Sequence, residues 1–443
     1  MIALWSLLLA LEPGTPDGPS ATTQEPVPAI EEEQAIEVPA LQAPAAPVFE
    51  AAAPTTSLRT VTVDWGVQVR PRLEKSFGGN IGVPREISGL QDVGSYRTTQ
   101  RTRGILNLEG ELWSAKLSLQ DVRTWAAEAG TASGLSTGSF DAHEGWLQLG
   151  VDDAIRVGRQ EIIIDDQRLI GNLDWTNQGR AFDAIMLWHG RQSYKLTLVA
   201  SRVREVTAVH PLVDLFIAHA ELNMGKLRLG VPAILMTNRF VADRDRGHER
   251  NDWTLLTSGL NLKAEGDLFW RIEAYAQTQN ERLGYLFAGY VGCKVLSWLK
   301  PALGIDYLSG TRMSPRAHTG AFDTLFATSH GTYGMMDRFV DIPADTKNGG
   351  LVDYAVKNQG TVGPGSLEIG AHEFALATRD SAGNSALIGA EVDAVYDLPI
   401  MDEVSAQLGG GLFFDQGDFR QTRQTADLRT WHDWVYVQID LKL

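Results

Sequence analysis

His330 and Tyr333, in the stretch FATSHGTYGMMDRF with Arg338 close behind, are the residues of this chain best suited by type to acid–base chemistry. A base that removes a proton beside a carboxylate, with an acid that protonates the leaving oxygen, would make a polysaccharide lyase. Their spacing fixes no partner, and a loop histidine beside an aromatic-girdle tyrosine accounts for the same residues more simply. Asp165 and Asp166 are adjacent carboxylates, but neighbours in an extended chain point to opposite sides and do not converge as an acid and a base must. The stretch DRDRGHERND, Asp243 to Asp252, alternates acids with arginines around His248. It lacks calcium-loop spacing and its arginines would repel a cation, so it reads as a solvated loop and implies no metal. No glycine-rich phosphate cradle stands between a strand and a helix, and no cofactor is implied. What remains is a set of arginines: Arg70, Arg72, Arg101, Arg103, Arg156, Arg159, Arg168, Arg180 and Arg271. Guanidinium groups stay charged at any working pH and grip carboxylates in a fork. Asp64, Glu74, Glu109, Glu161 and Glu273 accompany them, so binding an anion and bracing a wall both fit.

The elements that carry these arginines have a period of two. In TVTVDWGVQVRPRLEK, Val61, Val63, Trp65, Val67 and Val69 share one face, and Thr62, Asp64, Gln68, Arg70 and Arg72 the other. LFWRIEAYAQ repeats the pattern, with Leu268, Trp270, Ile272, Ala274 and Ala276 set against Phe269, Arg271, Glu273, Tyr275 and Gln277. TLLTSGLNLK before it alternates too, and AEGD between them reads as a hairpin turn. The last residues place Val435, Val437, Ile439, Leu441 and Leu443 opposite Gln438, Asp440 and Lys442. Further strands are expected over Leu106–Gln120, Ala154–Glu161, Phe182–His189, Tyr194–Arg204, Leu215–Leu222, Leu303–Tyr307, Leu387–Tyr396 and Leu408–Phe414. No helical periodicity competes, so the body is all-β.

Composition agrees. Forty-four glycines among 443 residues, with 12 Trp, 10 Tyr and 15 Phe, suit many turns and aromatic girdles. No segment reaches the roughly 18 consecutive apolar residues that a membrane-spanning helix needs. The net charge of −16 is front-loaded, because eight acids precede the first base, Arg59, and removing them leaves 47 acidic against 39 basic groups, a net of −8. That balance excludes a nucleic-acid partner, which calls for a basic face. Cys293, the single cysteine, cannot form an internal disulfide. Residues 1–11, MIALWSLLLAL, have the length of a signal-peptide apolar segment. Residues 12–58, with nine of the 18 prolines and the cluster Glu31–Gln34, form an acidic tail too poor in apolar surface to order itself. From residue 59 to 443 the strand pattern holds.

Alternation alone does not separate a soluble sandwich from an outer-membrane barrel, since the greasy face can meet a core or lipid. Strands near the spanning length of about 9–11 residues, a strand running to the end, and Trp65, Trp113, Trp270, Trp431 and Trp434 near strand ends favour the barrel. The terminal Leu443, where a Phe or Trp is usual, counts against it.

One region decides. Arg159-Gln160-Glu161, Asp166-Gln167-Arg168-Leu169-Ile170-Gly171, Trp175, Gly179-Arg180 and Phe182-Asp183 resemble the signature of the alginate export family of outer-membrane porins. Arg70-Pro71-Arg72-x-Glu74, Arg101-x-Arg103, Asp306-Tyr307-x-Ser309-Gly310, and Phe322-x-x-Leu325-Phe326 with His330, Tyr333-Gly334 and Asp337 extend the likeness. The resemblance implies a single transmembrane antiparallel β-barrel of about 18 strands, about 16 being the neighbouring even count. It also implies an anion-selective channel without cofactor, passing an anionic polysaccharide such as alginate, or another organic anion, through an arginine-lined lumen. Its partners would be that anion, outer-membrane lipid and periplasmic export components. By similarity, Arg70, Arg72, Arg101, Arg103, Arg159, Arg168 and Arg180 line the conduit. Two positions depart from the pattern: Asp165 and Ala184 stand where the family has glycine. The readings from other classes are a β-rich lyase and a structural barrel or adhesin with a plugged lumen.

Overall fold

The computed structural model describes residues 61–77, 95–125, 139–204, 212–239, 253–279, 282–311, 320–378, 386–416 and 431–443. The expected signal segment, the tail 12–58 and the charged stretch Asp243–Asp252 lie outside these residues.

Eighteen strands run through the described residues. The first half comprises β1 (Thr62–Phe77), β2 (Ser95–Glu109), β3 (Trp113–Thr124), β4 (Ser139–Leu149), β5 (Asp153–Gln160), β6 (Phe182–Arg191), β7 (Tyr194–Arg204), β8 (Leu212–Met224) and β9 (Leu227–Arg239). The second comprises β10 (Trp253–Ala264), β11 (Leu268–Gln279), β12 (Arg282–Cys293), β13 (Pro301–Leu308), β14 (Leu351–Val362), β15 (Gly365–Ala375), β16 (Leu387–Met401), β17 (Val404–Asp415) and β18 (Trp431–Lys442). Each pairs antiparallel with its sequence neighbour, and β1 pairs with β18 from Gln68↔Lys442 to Phe77↔Asp433. The sheet therefore closes on itself and leaves no edge to aggregate.

The predicted faces are the observed ones. Ile272 and Leu268 of β11 are exposed on the outside, while Glu273, Tyr275 and Gln277 are buried inside. The same outward band includes Trp65, Leu147, Leu198, Phe287, Leu303 and Val437. In water so wide an apolar belt would drive association, whereas in hydrocarbon each such side chain gains about 1.5–3 kcal/mol. No described helix is long and apolar enough to cross a membrane.

One predicted strand divides. Leu106–Gln120 is the end of β2 and most of β3, joined by a tight turn in which Gly110 N–H donates to Trp113 O at 2.8 Å. Trp434 also departs from expectation. It shares the inner face of β18 with Tyr436 and is buried, so it belongs to the lumen and not to the girdle.

Turns such as Gly225-Lys226 at one end of the barrel are short, and both ends of the barrel chain lie there. Long connections leave the opposite, extracellular end. Two of them, residues 161–181 and the segment 320–350, fold back into the barrel.

Candidate functional site

The segment 161–181 is built to be held inside. Its run of three isoleucines keeps the strand's alternation, so Ile162 and Ile164 are buried while Ile163 faces out. The chain then turns through Asp165 and Gln167, both left-handed at φ 48 and 62. Asp165 thus keeps the glycine-like conformation of the family pattern, which aspartate tolerates better than most side chains. Ala184, the other departure, sits in regular β6 opposite Gly158. Beyond the turn, Ile170 forms a parallel bridge with Phe326, and Gly171 N–H donates to Phe326 O at 2.9 Å. The two inserts are therefore one body.

One end of that body is held by the arginines of β1 and β2. Arg70 donates to Thr176 O at 2.9 Å and Arg72 to Trp175 O at 2.6 Å. Arg101 meets the Asp174 carboxylate at 2.8 Å, with Arg103 at 3.5 Å and Arg70 at 3.6 Å. Trp175 lies between the Arg72 guanidinium, 3.6 Å from its ring centre, and His330, stacked at 3.8 Å. Asp337 ties the sandwich together, accepting from Trp175 Nε1 at 3.2 Å and from His330 Nδ1 at 2.8 Å. Gly179 is left-handed at φ 67, and a Cβ there would stand 2.8 Å from Arg103 Nη2. Glycine adopts this left-handed backbone without strain and leaves the guanidinium its room.

The other end crosses the lumen to the opposite wall. Arg168, fully enclosed, donates to Glu273 of β11 at 3.0 Å, to Asp306 of β13 at 2.5 Å and to the Tyr333 hydroxyl at 3.0 Å. Asp165 accepts from His219 of β8 at 3.0 Å. Asp166 accepts from Lys263 at 2.9 Å and lies 3.3 Å from Arg271. Burial opposes the Asp166 charge, but the Lys263 hydrogen bond and the Arg271 charge prevail and hold its pKa at about 2.

A pKa depressed by folding contributes stability above the unfolded value and loses it as pH falls through the folded value. The Asp166 attachment should therefore persist from neutral pH to about pH 4 and fail toward pH 2. Recordings of current noise across pH in planar bilayers test this. Asp166→Asn should show at neutral pH the looseness that the unaltered chain shows only in acid, and an Asn variant as quiet as the parent would refute it.

The candidate arginines thus part company. Arg70, Arg72, Arg101 and Arg103 face the lumen but lie beneath the insert, Arg101 being 1 % exposed. Arg168 and Arg180 belong to the insert itself. Arg180 binds the carbonyls of Phe326 and Ala327, and burial holds its pKa down at about 10. Arg159 departs from the lumenal expectation: it shares the outward face of β5 with Ile155 and Val157 and pairs with Asp183 at 2.8 Å. Its parity with those apolar residues signalled this. His330 and Tyr333 are packing and anchoring groups, Tyr333 being buried against Arg168.

Several residues that matter here were not singled out from sequence. Asp174 joins three arginines, and Glu391 and Asp393 of β16 accept the Met336 and Met335 amides at 2.9 and 3.2 Å, anchoring the second insert. The signal for that pair was two acids, i and i+2, on one face of the apolar first half of the strand. On the short-turn side of the Arg168 lock a cavity of about 320 Å³ remains, lined by Phe269, Arg271, Tyr290, Lys300, Lys357 and Glu368 among others. Arg271 lies over the Tyr290 ring at 4.8 Å. Cations beside an aromatic face suit a ring-bearing carboxylate.

Residues 63–206 match the family model described as alginate export. No curated protein sequence matches the chain. Among solved structures, Pseudomonas aeruginosa OccK9 (OpdG) superposes with a TM-score of 0.58 at 10% identity, covering 86% of this chain and 98% of that one. P. aeruginosa OccK2 (OpdF) in complex with glucuronate gives 0.55 at 9% identity, with 86% and 98% covered. P. aeruginosa OpdK with vanillate gives 0.55 at 10%, over 86% and 98%. Identities this low speak to the fold alone. The closed barrel and its apolar outer band, with the sequence match, make this chain a porin-like outer-membrane β-barrel that carries the alginate export family pattern over residues 63–206.

Proposed function

We propose that the barrel is a passive, anion-selective channel for carboxylate-bearing solutes, with the joined inserts as its constriction. The observation that carries this reading is the clustering of guanidinium and ammonium groups at two places on the lumenal side: Arg70, Arg72, Arg101 and Arg103 on one wall, and Arg271, Lys300 and Lys357, set among Asp306, Asp353 and Glu368, around the cavity on the other. Two neighbours of like fold are complexes with glucuronate and with vanillate, both small carboxylates, and a cavity of about 320 Å³ has the scale of such molecules. An alginate-like chain presents the same carboxylate on every sugar, and its passage requires the insert to move aside. Arg168 and Arg180 serve as anchors of the constriction and Arg159 as a rim brace. The lyase reading loses its pair, because the Tyr333 hydroxyl is occupied by Arg168 and His330 is stacked on Trp175.

The test is the reversal potential across a planar bilayer under a potassium chloride gradient. Anion preference is expected, with block by glucuronate and by oligouronates. Lys300→Gln combined with Lys357→Gln should weaken glucuronate block about tenfold, the loss of two charge-assisted contacts, while Arg159→Gln changes nothing. Cation preference in the unaltered chain would overturn the proposal.

A further inference from the structure

Resting on the anion-channel reading, we infer that Arg70, Arg101 and Arg103 form a carboxylate-binding site which the chain's own Asp174 occupies at rest, so that an incoming carboxylate enters by exchanging with Asp174 and frees the insert from the wall.

Three guanidinium groups converge here from two adjacent strands. Arg70 and Arg101 are direct cross-strand partners, and Arg103 follows on the same face, opposite Gln68. Like charges placed this way repel unless an anion lies among them. Asp174 is the carboxylate that all three share, at 2.8, 3.5 and 3.6 Å, and Glu161 adds one further contact to Arg103 at 3.9 Å. Positive charge is therefore in excess at the site.

Accessibility decides which partner is exchangeable. The arginine side chains are 1–9% exposed and are fixed in the wall, whereas the Asp174 side chain is 53% exposed. Solvent, and hence a solute anion, reaches the carboxylate side. The site also has capacity to spare: Arg70 Nε, Arg101 Nε and Arg103 Nη2 are buried without a hydrogen-bond partner. A carboxylate, with about four lone-pair sites, can use donors that Asp174, tethered to its loop, leaves unmet. The insert would stay held at its far end by Arg168 while the segment 174–178 leaves the wall.

Full-length barrels carrying Asp174→Asn or Asp174→Ser, reconstituted in planar bilayers and titrated with glucuronate, test the exchange. Without the internal competitor, both should bind glucuronate about tenfold more tightly and conduct more before any is added. Asp174→Glu should behave as the parent, and Arg101→Gln in the Asn background should abolish the gain. If either neutral variant that inserts as a heat-modifiable barrel shows the parental titration, the inference fails. If neither inserts, Asp174 is an essential strut and not an exchangeable ligand, and the inference fails as well. A parent channel with no anion preference would instead refute the channel reading itself.

Discussion

Replacing Arg168 by alanine is expected to destabilise the barrel by about 3–5 kcal/mol, the largest single-residue effect foreseen here. The guanidinium is buried among Glu273, Asp306 and Tyr333, and its removal leaves two carboxylates in a low-dielectric pocket with Arg271 as the nearest remaining cation. The attraction of such a pair is largely offset by the cost of desolvating it, but stranding one side exposes the full penalty. Arg168→Lys keeps the charge and loses the fork, because an ammonium cannot donate to Glu273 and Asp306 in the same planar geometry, and should fall between parent and alanine. The measurement is the temperature at which the folded band converts to the unfolded one on a detergent gel. A diagnostic control is Arg168→Met with Glu273→Gln and Asp306→Asn. Removing every partner at once should recover much of the loss, and an alanine variant as heat-resistant as the parent would show that the lock bears no load.

The second large effect is expected at Trp175. Trp175→Ala removes the ring between Arg72 and His330, the edge contacts with Tyr436 at 4.9 Å and Trp434 at 6.0 Å, and the hydrogen bond to Asp337. For a half-buried indole these contacts amount to about 2 kcal/mol, less than a fully buried tryptophan would carry. That energy belongs to the attachment of the insert, since the barrel ladder is untouched. Its loss should appear as gating noise and raised conductance with near-parental heat resistance. Trp175→Phe keeps the stack but not the indole N–H, and should lie between. Raised noise without a change in barrel melting separates a loosened insert from a damaged wall, while an unchanged current trace would remove Trp175 from the gate.

The two effects differ in kind for a physical reason. Arg168 joins the insert to strands β11 and β13 through buried charges, so it acts on the wall as well as the insert. Trp175 joins the insert to the arginine wall mainly through dispersion and ring electrostatics, which are weaker and more readily undone. An insert bolted firmly at one end and packed at the other is the arrangement a movable constriction requires.

By itself the sequence determined the faces and the ladder. Period-two alternation in LFWRIEAYAQ placed Ile272 outside and Glu273 inside, and the final strand was legible to its last apolar residue, because the two sides of a barrel wall meet solvents of opposite polarity. The same period misled where it is blind to chain direction. Apolar residues alternate through Leu106, Leu108 and Leu112 and change phase only at Trp113, so with no Pro or Asn-Gly to mark the turn β2 and β3 read as one strand although the chain reverses there. It was also overridden where residue type was trusted above parity, as at Arg159, which sits in phase with Ile155 and Val157 and faces out. Tertiary structure alone decided what the inner arginines touch. Arg101 meets Asp174 across 73 residues and Arg168 meets Asp306 across 138, pairings that no local pattern encodes because they exist only once the barrel has closed and the inserts have folded back into it.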